Sequence, residues 1–196
     1  MANATYETEV RFGSGANYTD TATDGEIIQY GTARTRKQIW IQAEALRAPG
    51  TNPATFQDLG ISGVWEFDDN LTRVVVAKLP LITDFDSSED ANVILGWGSP
   101  SNAGVCRWQV EYLVRGENED MSAIAEDTLT SDEAPSGTAN GLTLSSFTIP
   151  AASLASTDHC LLLRITRLGG ADTLGDVANL SGLCLSYISN KLGEAT

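Results

Sequence analysis

The feature that most constrains the fold is the run at 105–115, V-C-R-W-Q-V-E-Y-L-V-R, framed by Gly104 and Gly116. Cys106, Trp108, Val110, Tyr112 and Val114 share one parity of this run, and Arg107, Gln109, Glu111 and Arg115 the other. Successive side chains of a strand point to opposite faces, so the segment presents one apolar face and one wet face. That is the pattern of an antiparallel sheet resting on a core on one side. The run is rich in β-branched and aromatic residues, as expected of a central strand of a β-sandwich.

Similar runs recur at short intervals. Strands are expected over 36–43 (R-K-Q-I-W-I-Q-A), 61–67 (I-S-G-V-W-E-F), 71–79 (L-T-R-V-V-V-A-K-L) and 92–97, ahead of the central run. Three more are expected over 142–149, 159–167 (H-C-L-L-L-R-I-T-R) and 180–189 (L-S-G-L-C-L-S-Y-I-S). Turn formers punctuate them: A-P-G-T-N-P at 48–53, Asp68-Asp69-Asn70, Pro80, the G-S-P-S-N-A-G loop and Pro150. Helical signal is confined to single turns at 44–46, 121–126 and 151–156, too short for a stable helix. The chain has no internal repeat of the kind that builds propellers or solenoids. About eight strands separated in this way predict an all-β chain folded as an antiparallel β-sandwich.

A chain of 196 residues suffices for one domain with an appended arm. Its formal net charge of -14 makes nucleic-acid phosphates and anionic lipid surfaces poor partners. Cys106, Cys160 and Cys184 each lie in an apolar strand-like run, at spacings that match neither a disulfide framework nor a zinc site. They are expected as buried small hydrophobes, with a pairing across facing strands left open. No apolar run approaches the length of a membrane-spanning helix, and M-A-N-A-T-Y-E-T-E has neither part of a secretory signal. Synthesis in a cytoplasm, without a membrane partner, is the expectation.

Residues 1–35 differ from the sandwich expected over 36–196. They are rich in Gly, Thr, Asn and Ala, and the aliphatic and aromatic side chains that could hold them in place are Tyr6, Val10, Phe12, Tyr18, Ile27, Ile28 and Tyr30. Such a segment carries little core of its own, so it is expected as an extended arm held by a neighbouring subunit, or lying along its own sandwich.

Chemistry-bearing residues are sparse. Seven carboxylates fall between Glu117 and Glu133 with no Lys or Arg among them, and Glu117, Glu119 and Asp120 are the calcium candidates. The spacing is not that of an EF-hand, so a solvated acidic loop is the plainer expectation. Glu111, on the wet face beside Arg107, reads as a surface ion pair before it reads as half of a glycosidase pair. His159 is the single histidine and no nucleophile motif accompanies it. Among the four tryptophans, Trp108 shares the apolar parity and belongs to the core. Trp40, opposite in parity to Ile39 and Ile41, and Trp97, at a strand end between Gly96 and Gly98, are the candidates for rings that stack on a sugar or fill an interface. No enzyme and no cofactor is expected.

The order I-W-I-Q-A, A-P-G-T-N-P-A, V-W-E-F-D-D-N-L-T-R-V-V-V-A-K-L-P, G-W-G, V-C-R-W-Q-V-E-Y-L, R-I-T-R-L-G-G-A-D-T-L-G-D-V-A-N-L-S-G-L resembles jelly-roll structural proteins of tailed-bacteriophage virions, over about 36–189. The resemblance implies a jelly-roll sandwich and a non-enzymatic virion component, commonly a homotrimer, attached through its N-terminal arm. A decoration protein bound to the major capsid protein is its first implication. A tail or fibre appendage whose jelly roll contacts a host surface glycan is the second; a glycan-active enzyme is a further alternative that the resemblance does not imply.

Overall fold

The computed structural model describes residues 11–21, 27–80, 85–155 and 158–191; the side chains of 158 and 159, His159 included, lie outside that description. Three short strands come first, β1 (Phe12–Ser14), β2 (Asn17–Thr21) and β3 (Ile27–Gln29), paired antiparallel in that order. The body follows as β4 (Thr35–Gln42), β5 (Thr55–Leu59), β6 (Ser62–Phe67), β7 (Thr72–Pro80), β8 (Ala91–Gly98), β9 (Cys106–Gly116), β10 (Asp127–Glu133), β11 (Thr143–Ile149), β12 (Asp158–Leu168) and β13 (Ala178–Ser189). One sheet has the order β10-β9-β12-β7, the other β11-β8-β13-β6-β5 with β4 also paired to β13. The chain crosses repeatedly between the two, and among the described residues their strands all pair antiparallel. This is an antiparallel β-sandwich of jelly-roll type.

All eight expected strands are present, with ends displaced by one or two residues. Two body strands carry no readable alternation. β10 (D-T-L-T-S-D-E) lies in the acidic stretch expected as loop; it is an edge strand that packs one apolar side chain, Leu129, against the core. β5, at the other edge, is T-F-Q-D-L and pairs only with β6. An edge strand contributes few inward side chains, so its sequence need not alternate. The turns expected at 44–46 and 151–156 exist as 3-10 turns, Ala43–Ala45 and Ala151–Ser153, whereas 121–126 is irregular loop.

The alternation of β9 does what it promised. Cys106, Trp108 and Val110 are fully buried, Tyr112 is 1% exposed, and the intervening side chains face out. The Trp108 ring meets Phe67 and Trp97 edge-on, at centroid separations of 5.0 and 5.8 Å, which joins the two sheets across the core. The three cysteines are unpaired and buried. Burial raises the thiol pKa of Cys106 and Cys184 above the ordinary value; for Cys106 the nearby Arg167 pulls the other way without reversing it.

One charged side chain breaks the apolar pattern of the inner faces. In β12 the parity of Leu161, Leu163 and Ile165 continues to Arg167, which is paired with Trp108 and has no exposed surface. Its Nε and Nη2 donate to the two Asp172 oxygens at 2.9 and 3.3 Å; Nη1 donates to the carbonyls of Phe67 and Asp176, and Nη2 to that of Leu174. The guanidinium therefore ties β12, the end of β6 and the 172–176 connection at one point, with its charge matched by a carboxylate itself 1% exposed.

β13 is the central strand of the larger sheet. Along one side it pairs with β8; along the other its first residues pair with β6 and residues 182–189 with β4. The change of partner coincides with a register shift between Leu180 and Gly182. Gly182 has φ +153°, and a Cβ there would lie 2.5 Å from the Ile41 carbonyl oxygen, so close approach of β4 requires glycine.

The described part of the arm is not extended. β1–β3 form a small meander in which Tyr18 and Tyr30 stack at 4.4 Å and the Arg11 guanidinium lies over the Tyr18 ring. Aromatic stacking and local pairing supply the order that composition did not suggest. The meander is tied to its own chain by Gln29 N–H donating to the Asn190 carbonyl at 2.6 Å and by a bridge between Ile28 and Lys191. Just beyond it, Arg34 pairs with Asp86 at 2.9 Å and Glu89 at 2.6 Å. Burial pushes the Asp86 carboxyl up, but hydrogen bonds from Ser88 and Arg34 outweigh it and hold the group below its ordinary value. Of the arm residues singled out above, Tyr6 and Val10 lie outside the described residues.

Candidate functional site

Each sheet has an outer face, and the two differ in chemistry. On the larger sheet, strand parity and register place Gln42, Trp40, Gln38 and Arg36 of β4 along one side. Cross-strand from them stand Gly182, Cys184, Ser186 and Ile188 of β13, then Gly96, Ile94 and Asn92 of β8. Leu144, Ser146 and Thr148 of β11 close the far side. Gly182, Cys184, Ser186 and Gly96 are small, Ile188, Ile94 and Asn92 are interspersed with them, and the longest side chains of the face stand on β4. Trp40 is 54% exposed and stands beside Cys184. Ile39 and Ile41, of opposite parity, pack against the core, so the strand is anchored and its indole faces solvent.

The polar groups of this face are fixed by short contacts. Arg36 Nη1 donates to Ser186 Oγ at 3.3 Å, Thr148 Oγ1 to Asn92 Oδ1 at 3.0 Å, and Ser181 Oγ to the Gly96 carbonyl at 2.8 Å. Gln38 and Gln42 flank the indole on the same side of β4 and are exposed. An aromatic plane, amides, hydroxyls and a guanidinium therefore share one surface.

The second tryptophan candidate is placed differently. Trp97 has no exposed surface, its ring meets Trp108, and its Nε1 donates to Ser145 Oγ at 2.9 Å. The glycines on either side gave the impression of a strand end open to solvent. Instead the strand continues to Gly98, and the inward parity of Val93 and Leu95 carries Trp97 into the core. Trp40 is the candidate that remains.

The calcium candidates staple their loop. Glu119 Oε2 accepts from the Gly116 N–H at 3.0 Å, and Asp120 Oδ1 accepts from the amide and hydroxyl of Ser122 at 2.8 and 2.7 Å. Those Ser122 bonds hold the Asp120 carboxyl below its ordinary pKa. Glu117 is exposed. Among the described residues no three His, Cys, Asp or Glu side chains group closely enough to hold a metal ion. Glu111 faces outward, as expected, and pairs with Arg164 of the neighbouring strand at 3.4 Å, while Arg107 pairs with Asp132 at 2.6 Å.

The outer face of the four-stranded sheet carries a groove of about 860 Å³ that sequence reasoning did not find. Its floor is formed by Val76 and Lys78 of β7, Leu162 and Arg164 of β12, and Glu111 and Leu113 of β9. One wall is the segment at 45–47, hydrogen-bonded to the β7 edge through Arg47 and Val76; the other is the loop at 121–125. A-I-A at 123–125, an apolar trio inside the most acidic stretch of the chain, was the available signal. No helix among the described residues is long and apolar enough to cross a membrane.

No protein-family model and no curated protein matches the chain. Several solved structures are similar to it at low identity. They include a family 35 carbohydrate-binding module from Clostridium thermocellum (13% identity, 76% of this chain and 97% of that one, TM-score 0.45). A xylan-binding module, CBM15, is similar at 13% identity over 78% of this chain and 97% of that one, TM-score 0.43. The Gap123 glycosylation-associated complex from Streptococcus agalactiae is similar at 9% identity and TM-score 0.46, with 78% of this chain spanning 26% of that one.

Proposed function

We propose that the chain is a carbohydrate-binding module whose ligand lies across the outer face of the larger sheet, on Trp40. The observation that carries this reading is the indole, 54% exposed on a strand whose other parity is anchored in the core. A pyranose presents one face of C–H groups and a rim of hydroxyls. The indole plane takes the first, and Gln38, Gln42, Asn92 and Arg36 offer donors and acceptors to the second. A neutral glycan also suits a chain of net charge -14, since its approach is not opposed electrostatically.

The test exploits the burial of the other indoles. Trp65 is 8% exposed and Trp97 and Trp108 fully buried, so a ligand-induced change in tryptophan emission reports on Trp40. Titration with neutral xylo-, manno- and gluco-oligosaccharides is expected to shift the emission to shorter wavelength with one of them. Trp40→Ala is expected to abolish the shift and weaken binding at least tenfold, about 1.4 kcal/mol, with thermal stability unchanged. Binding by no oligosaccharide, or equal binding by the variant, would remove the reading.

A second reading, a homo-oligomeric virion component anchored by the arm, is favoured by Phe12, 68% exposed at the start of the meander. Exposed rings of this size are characteristic of interface cores. On that reading light scattering gives a trimeric mass for the chain and a monomeric one for Phe12→Ser; a monomer in both cases eliminates it.

A further inference from the structure

We infer that the groove on the outer face of the four-stranded sheet binds an anionic amphiphile: a single carboxylate on an unbranched aliphatic body, of the medium-chain fatty acid class. This second site lies on the opposite sheet from Trp40 and stands independently of the carbohydrate reading.

The groove is polar across its width. Arg47 and Lys78 stand on its β7 side, while Met121, Ala123 and Ile124 stand on the other. Ile124 is 90% exposed and Met121 47%, an apolar edge with nothing packed on it. Between the two sides the floor offers Leu162 beside Lys78 and Leu113 beside Leu162, in one row across three strands. That row spans about 10 Å at the usual strand spacing, the reach of an eight- to ten-carbon chain. A volume of about 860 Å³ lies within the range of small-molecule sites.

Charge fixes the sign of the head group. The chain has 26 carboxylates against 12 Lys and Arg, so a cation without a carboxylate partner is unexpected. Arg34, Arg73, Arg107, Arg115, Arg164 and Arg167 are all paired with one. Among the described residues Arg11 lies over the Tyr18 ring and Arg36 donates to Ser186 Oγ, whereas Arg47 and Lys78 form no ion pair and both line the groove. Glu111, the one carboxylate in the lining, is already taken by Arg164. A carboxylate at the β7 side offsets one of these two positive charges and its tail covers the apolar edge.

The loop that forms that edge is built to hold its shape. Arg115 donates to the Asp120 carbonyl at 2.9 Å and to Glu126 Oε1 at 2.7 Å, pinning both ends of 121–125 to β9. The Glu126 N–H donates to the Tyr112 carbonyl at 2.9 Å. The acidic residues thus serve as fasteners, and the apolar ones between them are left projecting over the groove.

Isothermal titration of the full chain with decanoate, 1-decanol and decylamine, each below its aggregation limit, tests the assignment. Decanoate is expected to bind at one site, at least tenfold tighter than 1-decanol, with no binding of decylamine. Lys78→Glu is expected to reduce decanoate affinity at least tenfold, and Ile124→Asp by a similar factor, each with unchanged melting temperature because both side chains are on the surface. Lys78→Glu should leave oligosaccharide titrations unaffected, which separates this site from the one at Trp40. Equal binding of decanoate and decylamine, unaltered affinity in both variants, or no binding of decanoate overturns the inference.

Discussion

Arg167→Ala is expected to cost about 3–5 kcal/mol of stability, the range found when one partner of a buried ion pair is removed. The substitution leaves the Asp172 carboxylate, 1% exposed, without its counter-charge. It also strips a donor from the carbonyls of Phe67, Leu174 and Asp176. Each orphaned buried acceptor adds to the penalty. For a domain of this size the melting temperature should fall by about 6–20 °C, read by circular dichroism. Arg167→Lys should recover little, because a lysine ammonium cannot serve a bidentate carboxylate and three carbonyls from one plane. The contrasting pair is Arg107 with Asp132, also two-pronged, at 2.6 Å for each contact, but on the wet face. Asp132→Ala should therefore leave stability nearly unchanged. Equal losses at Asp132 and Arg167 would contradict the burial argument.

Trp97→Ala should also cost about 3–5 kcal/mol, the usual range for deleting a buried tryptophan. The ring is one of three that lock across the interior, and its removal leaves a cavity beside Trp108 and an unpartnered Ser145 hydroxyl. Urea unfolding gives the loss directly. Oligosaccharide affinity measured well below the melting temperature should be unchanged, since Trp97 reaches neither outer face. A variant of normal stability and weakened glycan binding would instead return Trp97 to the surface.

These two residues mark where sequence reasoning succeeds and where it stops. Parity in β9 and β4 correctly separated Trp108 from Trp40, because both runs are long enough to establish a phase. Trp97 misled because its flanking glycines suggested an ending, while the deciding fact was the phase set by Val93 and Leu95. Arg167 stood in the inward phase of Leu161, Leu163 and Ile165. Arginine is so seldom buried that phase alone does not identify such a case; its partner, Asp172, is five residues away round a turn. The groove was invisible for another reason. Its floor comes from three strands far apart in the chain, and its walls from two loops whose conformations depend on the pairing of Arg115 and on the bridge between Arg47 and Val76. No local pattern encodes such a convergence.

The double partnership of β13 has a consequence for how the chain acquires its shape. The strand that occupies the middle of the larger sheet comes last in the order of strands, after β4, β6 and β8, which all pair with it. Until β13 arrives, those three present unpaired edges, and loops of tens to more than a hundred residues must close before they are satisfied. Assembly of this half is therefore intrinsically slow, and strand edges stay open to other chains while it is pending. Gly182 is the joint at which one incoming strand closes two separate gaps, and a side chain there would delay the closure as well as strain its product.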